Sequence, residues 1–232
     1  MSRGPQWALA QARTRCHADL GGLAPEAPAD LVEAEGMFII HSWTEPHRAY
    51  HCLRHVADML TVLPRLCRQE STLTDHVVLL ANVATWYHDV AYDPRATPGS
   101  NEQRSASIAR DHLHRLGAAG EDIDAIEALI VMTVDHRAQA PDSAVSAELL
   151  GAFHDADLWI LSAPAQRYRE YARQVRDEYA HVPAPLFASG RSVILRDFMA
   201  RDHVYRTSYA RAHWEQSARN NVGAELTVLA QS

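Results

Sequence analysis

Apolar residues recur along this chain at helical spacing, and no stretch alternates apolar and polar as a half-buried strand does. The pattern predicts a first helix over residues 5–20, ended by the Gly21-Gly22 pair, and a second over 29–42, followed by a break at Glu45-Pro46. A longer helix is expected over 49–69, where Leu53, Val56, Leu60 and Leu63 keep the helical period. Residues 75–88 contain VVLLANVATWY, apolar on nearly every face, which marks a central buried helix. After Asp93-Pro94, Ser100 and Gln103 have the spacing of a capping box that opens a helix ending at Gly117. Further helices are expected at about 121–136, 143–162, 164–181, 190–201 and 208–230. The expectation is an all-α, multi-helix fold of roughly eight to ten helices. With no repeat or long linker, residues 1–232 are expected to form one domain: N-terminal helices over about 1–48, a middle group over 49–162 and a C-terminal group over 163–232.

Composition changes the picture in three places. The net charge of −7 argues against extended nucleic-acid binding. Every one of the 22 basic residues is Arg, which removes lysine Schiff-base chemistry and a lysine phosphate clamp and leaves an anion to Arg, a metal or helix N-termini. No apolar run is long enough to span a membrane, and the first residues lack a secretory pattern, so a cytoplasmic location is expected. Cys16, Cys52 and Cys67 are odd in number and far apart, which fits buried small hydrophobes in a reducing compartment. The 14 histidines stand out, because several fall in apolar helical context.

His51 and His55 are four apart and would share a helix face. Either could be no more than a satisfied core histidine. His88-Asp89 closes the buried helix, and an inward carboxylate there costs several kcal/mol unless it is paired or bound to a metal. The remaining reading is a His-Asp pair that caps the helix end. In His154-Asp155-Ala156-Asp157, Asp157 shares a stripe with Leu150, Phe153 and Leu161 and should point inward. Asp155 points about 200° away, which suggests a solvated or supporting residue. His154 is either core or turned toward the same cavity. Imidazole and carboxylate together suit a divalent ion.

The order His55, His88-Asp89, Asp157 resembles the H…HD…D signature of the HD superfamily of metal-dependent phosphohydrolases. YHCLRHVADML is similar to the YHxxxHxxD segment of the cyclic-nucleotide phosphodiesterases, one branch of it. The resemblance to bacterial HD proteins described as metal-dependent phosphohydrolases extends over about residues 50–225. It includes ATWYHDVAYD at 84–93, NEQRSA at 101–106, the Thr133-x-x-His136 spacing, DADLWIL at 155–161, RYREYARQVRDEY at 167–179 and GRSVIL at 190–195. A counterpart of the purine-clamping C-terminal region of the phosphodiesterases is not evident.

The resemblance implies a metal centre of His55, His88, Asp89 and Asp157 holding one or two divalent ions (Mn, Mg, Co, Ni, Zn or Fe), with His51 as proton donor to the leaving oxygen. Asp89 would bridge a second ion. Glu102 would orient the attacking water or a ligand, unless it is only part of a capping box. Arg104, His136, Arg167, Arg176 and Arg191 are candidates for substrate contact, Arg being suited to bidentate phosphate binding, although helix-surface ion pairs account for any single Arg as well. The implied activity is hydrolysis of a phosphomonoester or phosphodiester of a small, nucleotide-like molecule. Two alternatives stand beside it: an HD-type di-iron oxygenase, for which His136 and His154 are the spare inward histidines, and a non-catalytic, metal-dependent ligand sensor. Tyr205, Tyr209 and Trp214 would either close the core or pack a homodimer.

Overall fold

The computed structural model describes residues 5–69, 73–137 and 145–231, which form eleven α-helices and one 3-10 helix, with no strand among them. The all-helical expectation is met. The helix Asp75–Tyr87 (α4) lies at the centre: Ala81, Val83, Ala84 and Tyr87 are fully buried and Trp86 nearly so, as an all-round apolar pattern requires. Thr74 caps its start by accepting from the Val77 N–H. Around α4 pack Pro5–Leu23 (α1), Leu53–Cys67 (α3), Ser100–Leu116 (α5), Gly120–Met132 (α6) and Ala147–Asp157 (α7). Ala29–Ser42 (α2) packs on α1 and α5. The C-terminal group comprises Ala165–Glu178 (α8), Ala184–Ala200 (α9), Ser208–His213 (α10) and Glu215–Leu229 (α11). Within it, α11 packs on α9 and on the 3-10 helix Leu158–Ser162. One buried cluster runs from Cys16 to Val222 and includes Cys67, Tyr205 and Trp214, with Tyr209 packed against it. None of the described helices is long and apolar enough to cross a membrane.

Several boundaries differ from expectation for identifiable reasons. α1 continues through Gly21-Gly22 because Leu20, Leu23 and Ala24 are drawn into the core, and that packing outweighs the low helix propensity of glycine. α3 begins at Leu53, not residue 49. The backbone N–H groups of Ala49, Tyr50 and His51 instead all donate to the Glu178 carboxylate at 2.8–2.9 Å. The Ser100–Gln103 box does not form: Gly99, at φ +81°, occupies the cap position and Ser100 donates to the Thr97 carbonyl. α6 stops at Met132, and His136 has left the helix with φ +54°. α7 starts at Ala147 under a Ser146 cap and tightens into 3-10 geometry at Leu158; residues 143 and 144 lie outside the described residues. α9 begins at Ala184, immediately after Pro183, earlier than the 190 expected. The last helix divides at Trp214, where the Glu215 carboxylate turns back to accept the N–H groups of Val204 and Tyr205.

Candidate metal centre

Three helices, α3, α4 and α7, bring their ends together. His55 sits in the first turn of α3 and His88 at the C-terminal cap of α4, with Asp89 next in the turn and Asp157 at the end of α7. The His55 and His88 Nε2 atoms are 3.0 Å apart. Asp157 Oδ1 lies 3.1 Å from His55 Nε2 and 3.8 Å from His88 Nε2, and Asp89 Oδ2 lies 3.3 Å from His88 Nε2. His55, His88 and Asp89 each offer a donor atom within 4.8 Å of the others. With metal–ligand bonds of about 2.0–2.2 Å, neighbouring ligand atoms lie about 3.0–3.5 Å apart, close to these separations.

The donor chemistry fits a cation. His88 Nδ1 donates to the Thr85 carbonyl at 2.9 Å, so in the neutral ring the Nε2 lone pair faces inward. His55 Nδ1 is 3.1 Å from the Tyr50 hydroxyl, which can serve either tautomer. Two inward imidazole nitrogens in contact, flanked by two largely buried carboxylates, are suited to hold positive charge between them. Their titration reflects the same demand. Burial disfavours the charged His88 ring, yet Asp89, then Asp157 and the Thr85 carbonyl, push it up to about 9. Burial raises Asp89, but His88, His51 and His55 together hold its carboxyl well below the usual range. Asp157 is likewise raised by burial and then held low by His55, His88 and His136.

The rings are fixed from behind. Trp43, fully buried, lies against His88 and His55 at centroid distances of 5.4 and 6.3 Å, and its indole N–H donates to the Trp86 carbonyl. Arg48, its side chain fully buried, donates to the Asp89 and Val90 carbonyls and so pins the turn that presents Asp89. Neither anchor is marked by a motif in the sequence.

His51 is held apart from the cluster by a pairing the sequence does not announce. Glu178 Oε2 accepts from His51 Nδ1 at 2.7 Å and from the Tyr92 hydroxyl at 2.8 Å, while its other oxygen takes the three N–H groups of residues 49–51. This leaves His51 Nε2 directed to Asp89, 3.9 Å away. Burial lowers the His51 pKa, but Glu178 outweighs it and the net shift is upward. Glu178 is raised by burial, and His51 and Tyr92 bring it down to about 2. Tyr92 stacks on His51 at 4.2 Å. Asn101 and Ser105, from the NEQRSA block, bind the backbone of Asp93 and Ala91 and so set the loop beneath Tyr92.

A cavity of about 230 Å³ opens beside the cluster, lined among others by His51, His55, Asp89, Glu102, His136, Asp157 and Arg191. Glu102 Oε2 is buried without a hydrogen-bond partner, and burial, then Asp89, push its carboxyl up. His136 Nε2 is 3.7 Å from Asp157 Oδ2, its Nδ1 is buried without a partner, and burial lowers it to about 4. The left-handed backbone of His136, uncommon outside glycine, is a further sign of a constrained position. His154 Nε2 is also buried without a partner, and its ring lies 5.4 Å from that of His136.

The candidate arginines divide. Arg191 reaches the cavity but is bound to Glu225 at 2.8 Å and to the Tyr171 hydroxyl. Arg167 pairs with Asp58, and Arg176 donates to the Tyr179 and Val182 carbonyls beside Phe187; neither lines the cavity. Arg104 is exposed and faces a separate cavity of about 720 Å³ behind Tyr92 and Glu178. That space is larger, but none of the four metal-ligand candidates lines it. Asp155, expected in a solvated or supporting place, is fully buried and accepts from the His154 ring, the Arg206 and Thr207 N–H groups and the Thr207 hydroxyl. It therefore ties α7 to the segment before α10. Comparison of the chain with protein-family models, curated proteins and solved structures finds no match.

Proposed function

We propose that the chain is a metal-dependent phosphohydrolase of the HD type, cleaving a phosphomonoester or phosphodiester of a small molecule. The observation that carries this reading is the meeting of the His55 and His88 Nε2 atoms at 3.0 Å, with Asp157 and Asp89 oxygens 3.1–3.3 Å from them. His55, His88, Asp89 and Asp157 would hold the ion. A divalent ion there would acidify a bound water and neutralise charge on phosphoryl oxygens.

The chain's own groups supply the rest. Glu178 fixes the His51 ring and favours its charged form, which leaves a proton on Nε2 at the mouth of the cluster, where a departing alkoxide can take it. Glu102, with a buried free oxygen, is placed to accept a hydrogen bond from water in the cavity. The test is phosphate release from a phosphoester panel with Mn, Mg, Co, Ni or Zn, run on the protein and on His51→Asn. We expect turnover with at least one ion and a loss of about 10²–10⁴-fold in the variant. Absence of turnover with every ion would remove the hydrolase reading.

A second reading, an HD-type di-iron oxygenase, is favoured by His136 beside Asp157 and by the buried, unpartnered Nε2 of His154 next to it. Two bound irons without phosphoester turnover would select it.

A further inference from the structure

We infer that the alcohol portion of the substrate is small and apolar, not a nucleoside. This rests on the phosphoester reading and adds to it the class of molecule that the site selects.

The cavity lining is of two kinds. One is the His and Asp cluster. The other is Val134, Ile160, Leu161, Ile194, Leu195 and Phe198. Ile160, Leu161, Leu195 and Phe198 are buried, whereas Val134 and Ile194 are 41% and 53% exposed. Together these side chains offer apolar carbon to a ligand whose polar group sits at the cluster.

Few polar groups near these side chains lack a partner. The Thr133 hydroxyl donates to the Ile130 carbonyl. The Tyr171 hydroxyl accepts from Arg191, whose guanidinium is also held by both oxygens of Glu225, and keeps one proton to donate. Glu102 Oε2 and His136 Nδ1 are the other unpartnered atoms; His136 lies between Asp157 and Phe198. A nucleobase presents several donors and acceptors on its edges, and burying them against aliphatic carbon without partners is costly. The volume points the same way. About 230 Å³ is below the roughly 300–1,000 Å³ of pockets that take drug-sized ligands. A phosphoryl group at the cluster leaves room for a short alkyl or single-ring substituent against Ile194 and Phe198.

The experiment measures dissociation constants of phenylphosphonate, 2-hydroxyethylphosphonate and a nucleoside 5′-monophosphate by calorimetry, for the metal-loaded protein and Ile194→Asn. Ile194 is half exposed, so the variant is expected to fold, and its melting temperature checks that. We expect phenylphosphonate to bind at least about tenfold tighter than either polar ligand, with the preference over 2-hydroxyethylphosphonate reduced several-fold in Ile194→Asn. Equal or tighter binding of the nucleotide, no phosphonate binding at all, or an unchanged preference in the variant would overturn the inference. Selective phenylphosphonate binding without turnover of phenyl phosphate under any divalent ion supports the apolar pocket while removing the hydrolase reading, so the two fail separately.

Discussion

Replacing Glu178 with glutamine tests how His51 is held. The carboxylate, its side chain fully buried, takes five donors: three backbone N–H groups, His51 Nδ1 and the Tyr92 hydroxyl. Its pKa falls from 4.5 to about 2, which corresponds to about 3 kcal/mol favouring the native state once it is ionised. Glutamine keeps one carbonyl for the backbone groups but loses the charge, so a loss of about 3 kcal/mol is expected. For a chain of this size that lowers Tm by about 6–12 °C.

The pH dependence separates the ion pair from simple packing. Glu178, depressed in the folded state, contributes fully above its unfolded value of 4.5 and loses that contribution as pH falls toward 2. His51, raised in the folded state, contributes fully below 6.5 and loses its part as pH climbs through the higher folded value. The pair is therefore strongest between about pH 4.5 and 6.5. Thermal denaturation of both proteins in chelator, at pH 5.5 and pH 9, should show a larger Tm difference at pH 5.5. An equal difference at the two pH values would refute the ion pair as the basis of His51 placement.

Other perturbations have equally definite outcomes. His88→Ala and Asp157→Ala should each lose bound metal by elemental analysis and at least about 100-fold of any turnover; full activity in either would sink the ligand assignment. His136, buried neutral and lowered to about 4, makes the metal-free protein lose stability as pH drops from 6.5 toward 4, since the unfolded chain takes up the proton first. Asn tolerates the positive φ, so His136→Asn should flatten that acid slope in chelator by up to about 3 kcal/mol, read as Tm against pH. Asp155→Ala strands the Arg206 and Thr207 N–H groups and the His154 ring, and should cost about 3–5 kcal/mol by urea denaturation; a loss under 1 kcal/mol would show that the buried carboxylate is not a staple.

The sequence disclosed what periodicity and burial alone decide. An all-round apolar α4 had to be central, and the inward direction of Asp157 followed from its stripe with Leu150 and Phe153. Helix ends were less legible because long-range groups set them. The start of α3 is delayed by Glu178, 127 residues from His51, and no local pattern reveals that partner. Of the two places open to Asp155, the supporting one holds, for a similar reason: its outward angle on α7 meets the segment at Arg206 and Thr207, not water. Of the arginines suited to phosphate, Arg167 and Arg176 hold Asp58 and backbone carbonyls away from the cavity, whereas Arg191 lines it while bound to Glu225, a division no local pattern reveals. Trp43 and Arg48, which fix the cluster from behind, carry no motif. Their ring contacts and hydrogen bonds in the folded chain show their role.

The most direct measurement is elemental analysis of the purified protein and of His88→Ala after equilibration with divalent ions and removal of the excess. One or two ions per chain are expected in the parent protein, with a marked loss in the variant. A parent protein that retains no metal, or a variant that retains as much as its parent, would contradict the assignment of His55, His88, Asp89 and Asp157 as a metal centre.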